Sequence, residues 1–167
     1  MGIKLEIMVK PIIWDGLVKK SVRSIKYIVI HCQAGFGGWQ SIENARKYNG
    51  WKTGGYHFYI TLDGTIYQFY DLNQITNGVK GKNSNSIHVC YEGGVERKTL
   101  KALDTRTDSQ KSSLNCLLQE LRKTYTNAEI LGHRDLSPDI NGNGIIEKFE
   151  WVKECPSFNA KEEYKDI

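Results

Sequence analysis

His31, His133 and Cys155 are the residues of this chain whose types and settings suit metal chemistry. His31 closes the apolar run Ile25-Lys-Tyr-Ile-Val-Ile-His31, which reads as a buried strand carrying its histidine to the sheet edge. His133 closes a second run, Glu129-Ile-Leu-Gly-His133, and Cys155 opens Cys155-Pro-Ser-Phe158. Two neutral imidazoles and one thiolate fill three positions of tetrahedral zinc and leave the fourth open for water. Structural zinc sites are closed by four protein ligands, whereas catalytic ones keep that opening. If the three meet in space, the site is that of a zinc hydrolase. Spacing does not force the grouping: the residues stand 102 and 22 positions apart, unlike a compact His-Glu-x-x-His helix. Taken singly, a strand-end histidine reads as a hydrogen-bonded structural group and a lone cysteine as a small buried hydrophobe.

A second constellation lies between His133 and Cys155. Residues 139–150 match the twelve-residue EF-hand calcium loop, with Asp139, Asn141 and Asn143 at positions 1, 3 and 5 and Gly144 at 6. Ile145 would contribute its carbonyl, Glu147 would bind directly or through water, and Glu150 would close the loop with both oxygens. Leu136-Ser-Pro138 breaks any entering helix, and a single loop lacks the usual partner hand. The competing reading is an Asx-rich turn that caps a helix over 147–152.

The elements that must position these residues are strands with interspersed helices. After a leader, residues 1–24, packed on the domain, come the His31 strand and a Gly-rich turn, Gly35-Phe-Gly-Gly38. A short helix over 41–48 follows, with Ser41 as its cap. Apolar runs over 56–62 and 65–70 flank Asp63-Gly64, the signal for a two-residue hairpin turn. A strand over 86–91 ends at Gly93-Gly94. Thr107 and Gln110 form a capping box, and Leu114, Leu117, Leu118, Leu121 and Tyr125 then mark one buried face of a long helix. A strand covers 129–131, and the charged tail, 161–167, reads as a solvated end. The fold class is α/β: a mixed central β-sheet flanked by helices, in a single domain over 25–160.

Composition agrees with one soluble enzyme domain. The chain has 167 residues, 40% hydrophobic and 25% charged, enough to bury a core without disulfides. Net charge is +4, a mild bias that favours an anionic polymer. No interleaved basic and aromatic stripe points to nucleic acid. No apolar run is long enough for membrane insertion. The first ten residues carry charges among their apolar positions, so no signal-peptide core is expected, and Glu6 breaks the myristoylation pattern begun by Met1-Gly2. The expectation is a monomer made in the cytoplasm without a signal peptide. Cys32, Cys90 and Cys116 read as buried thiols rather than as a disulfide framework.

Six segments, in order, give this chain its family resemblance: Tyr27-Ile-Val-Ile-His-Cys32, Gly55-Tyr-His-Phe-Tyr-Ile60, Asp63-Gly-Thr-Ile-Tyr67, residues 79–87, Gly132-His-Arg-Asp135 and Lys153-Glu-Cys-Pro-Ser-Phe158. Together the chain resembles the zinc-dependent N-acetylmuramoyl-L-alanine amidases of the phage lysozyme and peptidoglycan recognition protein superfamily. The resemblance implies the same mixed sheet and makes His31, His133 and Cys155 the zinc ligands. It places Tyr56 and Lys153 beside the metal as catalytic residues. It also implies the substrate, peptidoglycan, cut between muramic acid and L-alanine, so the protein would act on the cell wall. A non-catalytic peptidoglycan receptor of the same fold is the alternative; such relatives lose a ligand, most tellingly the cysteine.

The chain departs from the family in two places. Gly78 stands where the family often has a histidine, and His88 stands where many members carry glycine. His88 reads as a satisfied strand histidine rather than a substrate contact. Trp39 and Trp51, near the Gly-rich loops, read equally as sugar-stacking or core residues.

Overall fold

The computed structural model describes residues 8–167; the readings made on residues 1–7, including the lipidation pattern, lie outside the described residues. Among the described residues, six strands form one sheet: β1 (Ile12–Ile13), β2 (Tyr27–Cys32), β3 (Phe58–Ile60), β4 (Ile66–Gln68), β5 (Ser86–Tyr91) and β6 (Glu129–Gly132). Their order is β1-β4-β3-β5-β2-β6. The β1–β4 and β4–β3 pairs are antiparallel, and β3–β5, β5–β2 and β2–β6 are parallel, so the sheet is mixed. The parallel strands β2 and β5 are covered on both faces, which explains their near-continuous apolar sequences.

Alternation along these strands sorts the side chains by face. Ile28, Ile30 and Cys32, with Ile87, Val89, Tyr91, Phe58 and Ile60, face the long helix α2 (Asp108–Thr124). Leu114, Leu117, Leu118 and Leu121 of α2 are fully buried against them. Each contributes about 1.5–3 kcal/mol by leaving water. The opposite face carries Val29, Tyr59 and Cys90, and by the same alternation His31 and His88. That second face is where the candidate site forms.

The capping box at Thr107 is present: Gln110 N–H donates to Thr107 Oγ1 at 3.1 Å, and Thr107 N–H to Gln110 Oε1 at 3.0 Å. Other expectations need correction. The first helix, α1 (Gly38–Asn49), starts ahead of Ser41, whose hydroxyl instead meets the Gln33 amide. The carboxylate of Glu92, on a distant segment, accepts from Gly37 and Gly38 N–H at 3.0 Å each and takes the cap's place. The hairpin turn has three residues, not two. Thr61 N–H donates to Thr65 O, Gly64 N–H donates to Thr61 O, and Gly64 takes a φ of +84° that an L side chain resists.

Residues 147–152 form only a 3₁₀ turn, Lys148–Glu150, because Glu147 N–H and the turn's own carboxylate close on each other. The tail is not a solvated end. It forms a short helix, α3 (Ala160–Glu163), after which Tyr164 is buried in the α2-side core. Arg106, stacked on Phe158, ties α3 down through Glu163 at 2.8 Å. Cys116 is exposed rather than buried, since it lies off the leucine face of α2. Cys32 and Cys90 are free thiols on opposite faces of the sheet. Trp14 and Val18 of the leader pack on the core, and β1 extends the sheet beside β4.

Candidate active site

Three elements deliver the metal-type residues to one point. His31 sits near the C-terminal end of β2 on the face away from α2. His133 opens the 3₁₀ turn His133–Leu136 directly after β6, the strand paired with β2. Cys155 is brought in by a pinned loop. Its carbonyl accepts from Arg134 N–H at 2.9 Å, Tyr91 Oη donates to Pro156 O at 2.6 Å, and Ser157 Oγ donates to Gly94 O at 2.7 Å. Gly132 has to be a glycine for this approach, because a Cβ there would lie 2.5 Å from the Pro156 ring.

The ligand atoms of His31, His133 and Cys155 all lie within 4.8 Å of one another. His31 Nδ1 is 3.2 Å from His133 Nδ1 and 3.8 Å from Cys155 Sγ. Tetrahedral zinc with its usual bond lengths separates two nitrogens by about 3.3 Å and a nitrogen from a sulfur by about 3.6 Å. The donor set and its spacing therefore fit zinc with one position left over.

Electrostatics keep the imidazoles available as ligands. Burial first, then the neighbouring His88, His133 and Lys153, hold His31 well below the usual histidine range. Burial and the Lys153 ammonium push His133 down to about 4. The hydrogen-bonded neighbour Cys32 and burial hold the Cys155 thiol well above its ordinary value. A divalent cation supplies the charge that reverses this, since coordinated thiols are deprotonated. Cys32 N–H already donates to Cys155 Sγ at 3.3 Å, an arrangement suited to a thiolate.

His31, Tyr56, Gly78, His133, Lys153 and Cys155 share the wall of a cleft of about 300 Å³. The Tyr56 ring lies 5.1 Å from the His31 ring, and burial pushes its phenol well above its ordinary value, so it is a donor at neutral pH. Lys153 is exposed at the rim. The structure thus brings both expected side chains to the same cleft as the ligands. Trp51, 47% exposed, lines this cleft and an adjoining cavity of about 720 Å³. Trp39 instead packs edge-on against Phe69 in a buried cluster and is core.

The expected calcium residues lie in one loop that follows the turn opened by His133, where their side chains bond to the loop's own amides. Asp139 accepts from Gly142 and Gly144 N–H at 2.7 Å each. Asn141 and Asn143 accept from Asn143 and Ile145 N–H. Glu150 accepts from Ile140, Asn141 and Glu147 N–H, which holds its carboxyl below the usual range. Glu147 meets the amides of Asn141 and Asn143.

Sequence reasoning missed the partner of His31. His31 Nε2 lies 2.9 Å from His88 Nδ1, and both rings are buried. The signal was there in part, since each histidine stands within a near-continuous apolar strand. The parallel pairing of β2 with β5, which brings the two rings into contact, was not legible.

Comparison with known proteins gives the family. The family model "N-acetylmuramoyl-L-alanine amidase" matches residues 21–156. The chain is 36% identical over 136 residues to an endolysin of Enterobacteria phage K11, covering 79% of this chain and 80% of the phage protein. It is 34% identical over 146 residues to the endolysin of Escherichia phage T7, covering 85% and 87%. Among solved structures, the N-acetylmuramoyl-L-alanine amidase LysC from Clostridium intestinale superposes with a TM-score of 0.63 at 24% identity, covering 89% of this chain and 92% of LysC. The peptidoglycan recognition protein PGRP-LB of Drosophila superposes at 0.61 with 20% identity, covering 89% and 84%, a likeness of fold. The chain belongs to the N-acetylmuramoyl-L-alanine amidase family and is a peptidoglycan amidase.

Proposed function

We propose that His31, His133 and Cys155 hold one catalytic zinc and that the chain uses it to cut the bond between N-acetylmuramic acid and L-alanine in the cell wall. The observation that carries this reading is the convergence of the three ligand atoms in a cleft that also holds Tyr56 and Lys153. A zinc ion there would lower the pKa of water at its open position to roughly 7 and polarise the scissile carbonyl.

The chain's own residues do the rest. An amide resists attack because resonance stabilises its carbonyl, so the negative charge that develops on the carbonyl oxygen needs donors. Tyr56, kept protonated by burial, donates its phenolic hydrogen to that oxygen. Lys153 brings a positive charge to the rim and disfavours protonation of both histidines, which keeps their nitrogens free as ligands. Trp51 offers an apolar face to a sugar ring where the two cavities join. Because all three ligands come from one chain, a monomer suffices. The alternative, a non-catalytic receptor, is disfavoured by the retained Cys155.

Calcium is assigned to the loop of residues 139–150 as a structural ion. Asp139, Asn141, Asn143, the Ile145 carbonyl and Glu150 would be its ligands, with Glu147 direct or through water. Support comes from the match at specified positions and from side-chain oxygens already turned inward to backbone amides. Val152 N–H donates to Ser137 Oγ at 3.1 Å, so ordering this loop would steady the stretch that presents Lys153 and Cys155.

Metal analysis of the purified protein together with mass spectrometry of a muropeptide digest tests the zinc reading. Expected are one zinc per chain, free stem peptides, and loss of both zinc and cleavage in Cys155→Ser. Full cleavage by a metal-free preparation would overturn it.

A further inference from the structure

We infer that His88 is a positioning residue for the metal centre: it fixes the tautomer of His31 so that the Nδ1 lone pair, not an N–H, faces His133 and Cys155. The inference rests on the zinc reading above and assigns a role to a residue outside the ligand set.

The tautomers follow from a chain of obligate donors. Val79 N–H, which can only donate, lies 2.7 Å from Asn83 Oδ1 and fixes that atom as the amide oxygen. His88 Nε2 lies 3.0 Å from the same oxygen, so Nε2 carries the proton. A neutral His88 then presents a bare Nδ1, and the nitrogen 2.9 Å away, His31 Nε2, must be the donor. His31 is left with its lone pair on Nδ1, the atom 3.2 Å from His133 and 3.8 Å from Cys155. A backbone amide thus sets, through two side chains, which nitrogen of His31 is free to bind a cation. Metal-binding histidines depend on such an outer partner for orientation and basicity.

The ring of His88 is itself held in place. Its backbone N–H donates to His57 Nδ1 at 3.0 Å, which leaves His57 Nε2–H to donate to Gln74 O at 2.8 Å. Gly78 provides the room. A Cβ at Gly78 would lie 2.5 Å from His88 Nδ1 and 2.8 Å from Gly55 O, so this position cannot carry a side chain while the His88 ring is where it is. The two departures from the family pattern are therefore one feature: a side chain at 78 and a histidine at 88 compete for the same space, and here the histidine comes from β5.

The test is zinc affinity, by competition with a chromogenic chelator, in the wild type, His88→Ala and His88→Gln. Alanine should weaken zinc binding about 10- to 100-fold, the range for loss of an outer-shell partner. Glutamine, whose Oε1 can accept from His31 Nε2–H, should recover most of it. Long-range ¹H–¹⁵N correlation on the zinc-loaded wild type should place protons on Nε2 of both His31 and His88. A proton on His31 Nδ1, or a folded His88→Ala that binds zinc as tightly as the wild type, would overturn the inference alone. A wild type that binds no zinc would overturn the metal reading and this role with it.

Discussion

His57 is fully buried beside the site, with Nδ1 accepting from His88 N–H and Nε2–H donating to Gln74 O. Burial, with the Arg23 guanidinium close by, pushes it from 6.5 down to about 4. The sign follows from linkage. As pH falls, the unfolded chain takes up a proton near pH 6.5 that the folded chain refuses until about pH 4, so stability present above 6.5 is lost on acidification. A depression of that size amounts to about 3 kcal/mol in full, of which about 2 kcal/mol disappears between pH 7 and pH 5. His57→Gln removes the titration and keeps a donor for Gln74 O. Urea unfolding of both proteins, with chelator present to remove metal linkage, gives the comparison. The variant should be less stable at pH 7, and the gap should narrow by about 2 kcal/mol at pH 5. Parallel pH profiles would refute the reasoning, because they would mean that the folded protein lets this histidine ionise as freely as the unfolded chain does.

Tyr56→Phe and Lys153→Ala should each lower kcat on the order of 10²-fold with zinc still bound, read from muropeptide cleavage and metal content. Glu150→Gln should abolish the rise in melting temperature that millimolar calcium gives the wild type while sparing zinc; no calcium effect on the wild type, and no heat of binding, would reduce the loop to a turn. Leu118→Ala, at a fully buried position of α2, should destabilise by about 2–5 kcal/mol in chemical unfolding without changing zinc affinity. Gly78→Ala should weaken zinc binding, because the new methyl displaces the His88 ring; unchanged affinity would show that the ring has room to give.

Local chemistry was legible in the sequence wherever a residue's partners lie within a few positions. The capping box at Thr107, the leucine face of α2 and the strands ending near His31 and Gly132 follow from period and cap, because such contacts are made within one element. The six motifs likewise carried the family. Two of the errors come from a partner distant in the chain. Glu92 replaced Ser41 at the start of α1, and Arg106 with the α2-side core drew in a tail that reads as soluble by charge.

The site itself divides the same way. Sequence alone determined that His31, His133 and Cys155 are residue types suited to zinc, that the two histidines close apolar runs, and that an oxygen-rich loop lies between His133 and Cys155. Only the tertiary structure decided that they meet. The parallel pairing of β2 with β6 puts His31 and His133 side by side, and the pinned loop after Gly132 folds Cys155 onto them. It also decided which nitrogen of His31 faces the others, through His88, Asn83 and the amide of Val79. A residue's type fixes which atoms can donate a lone pair, but their distances and tautomers depend on strand register and on hydrogen bonds between segments far apart in the chain, and those form only when the sheet closes.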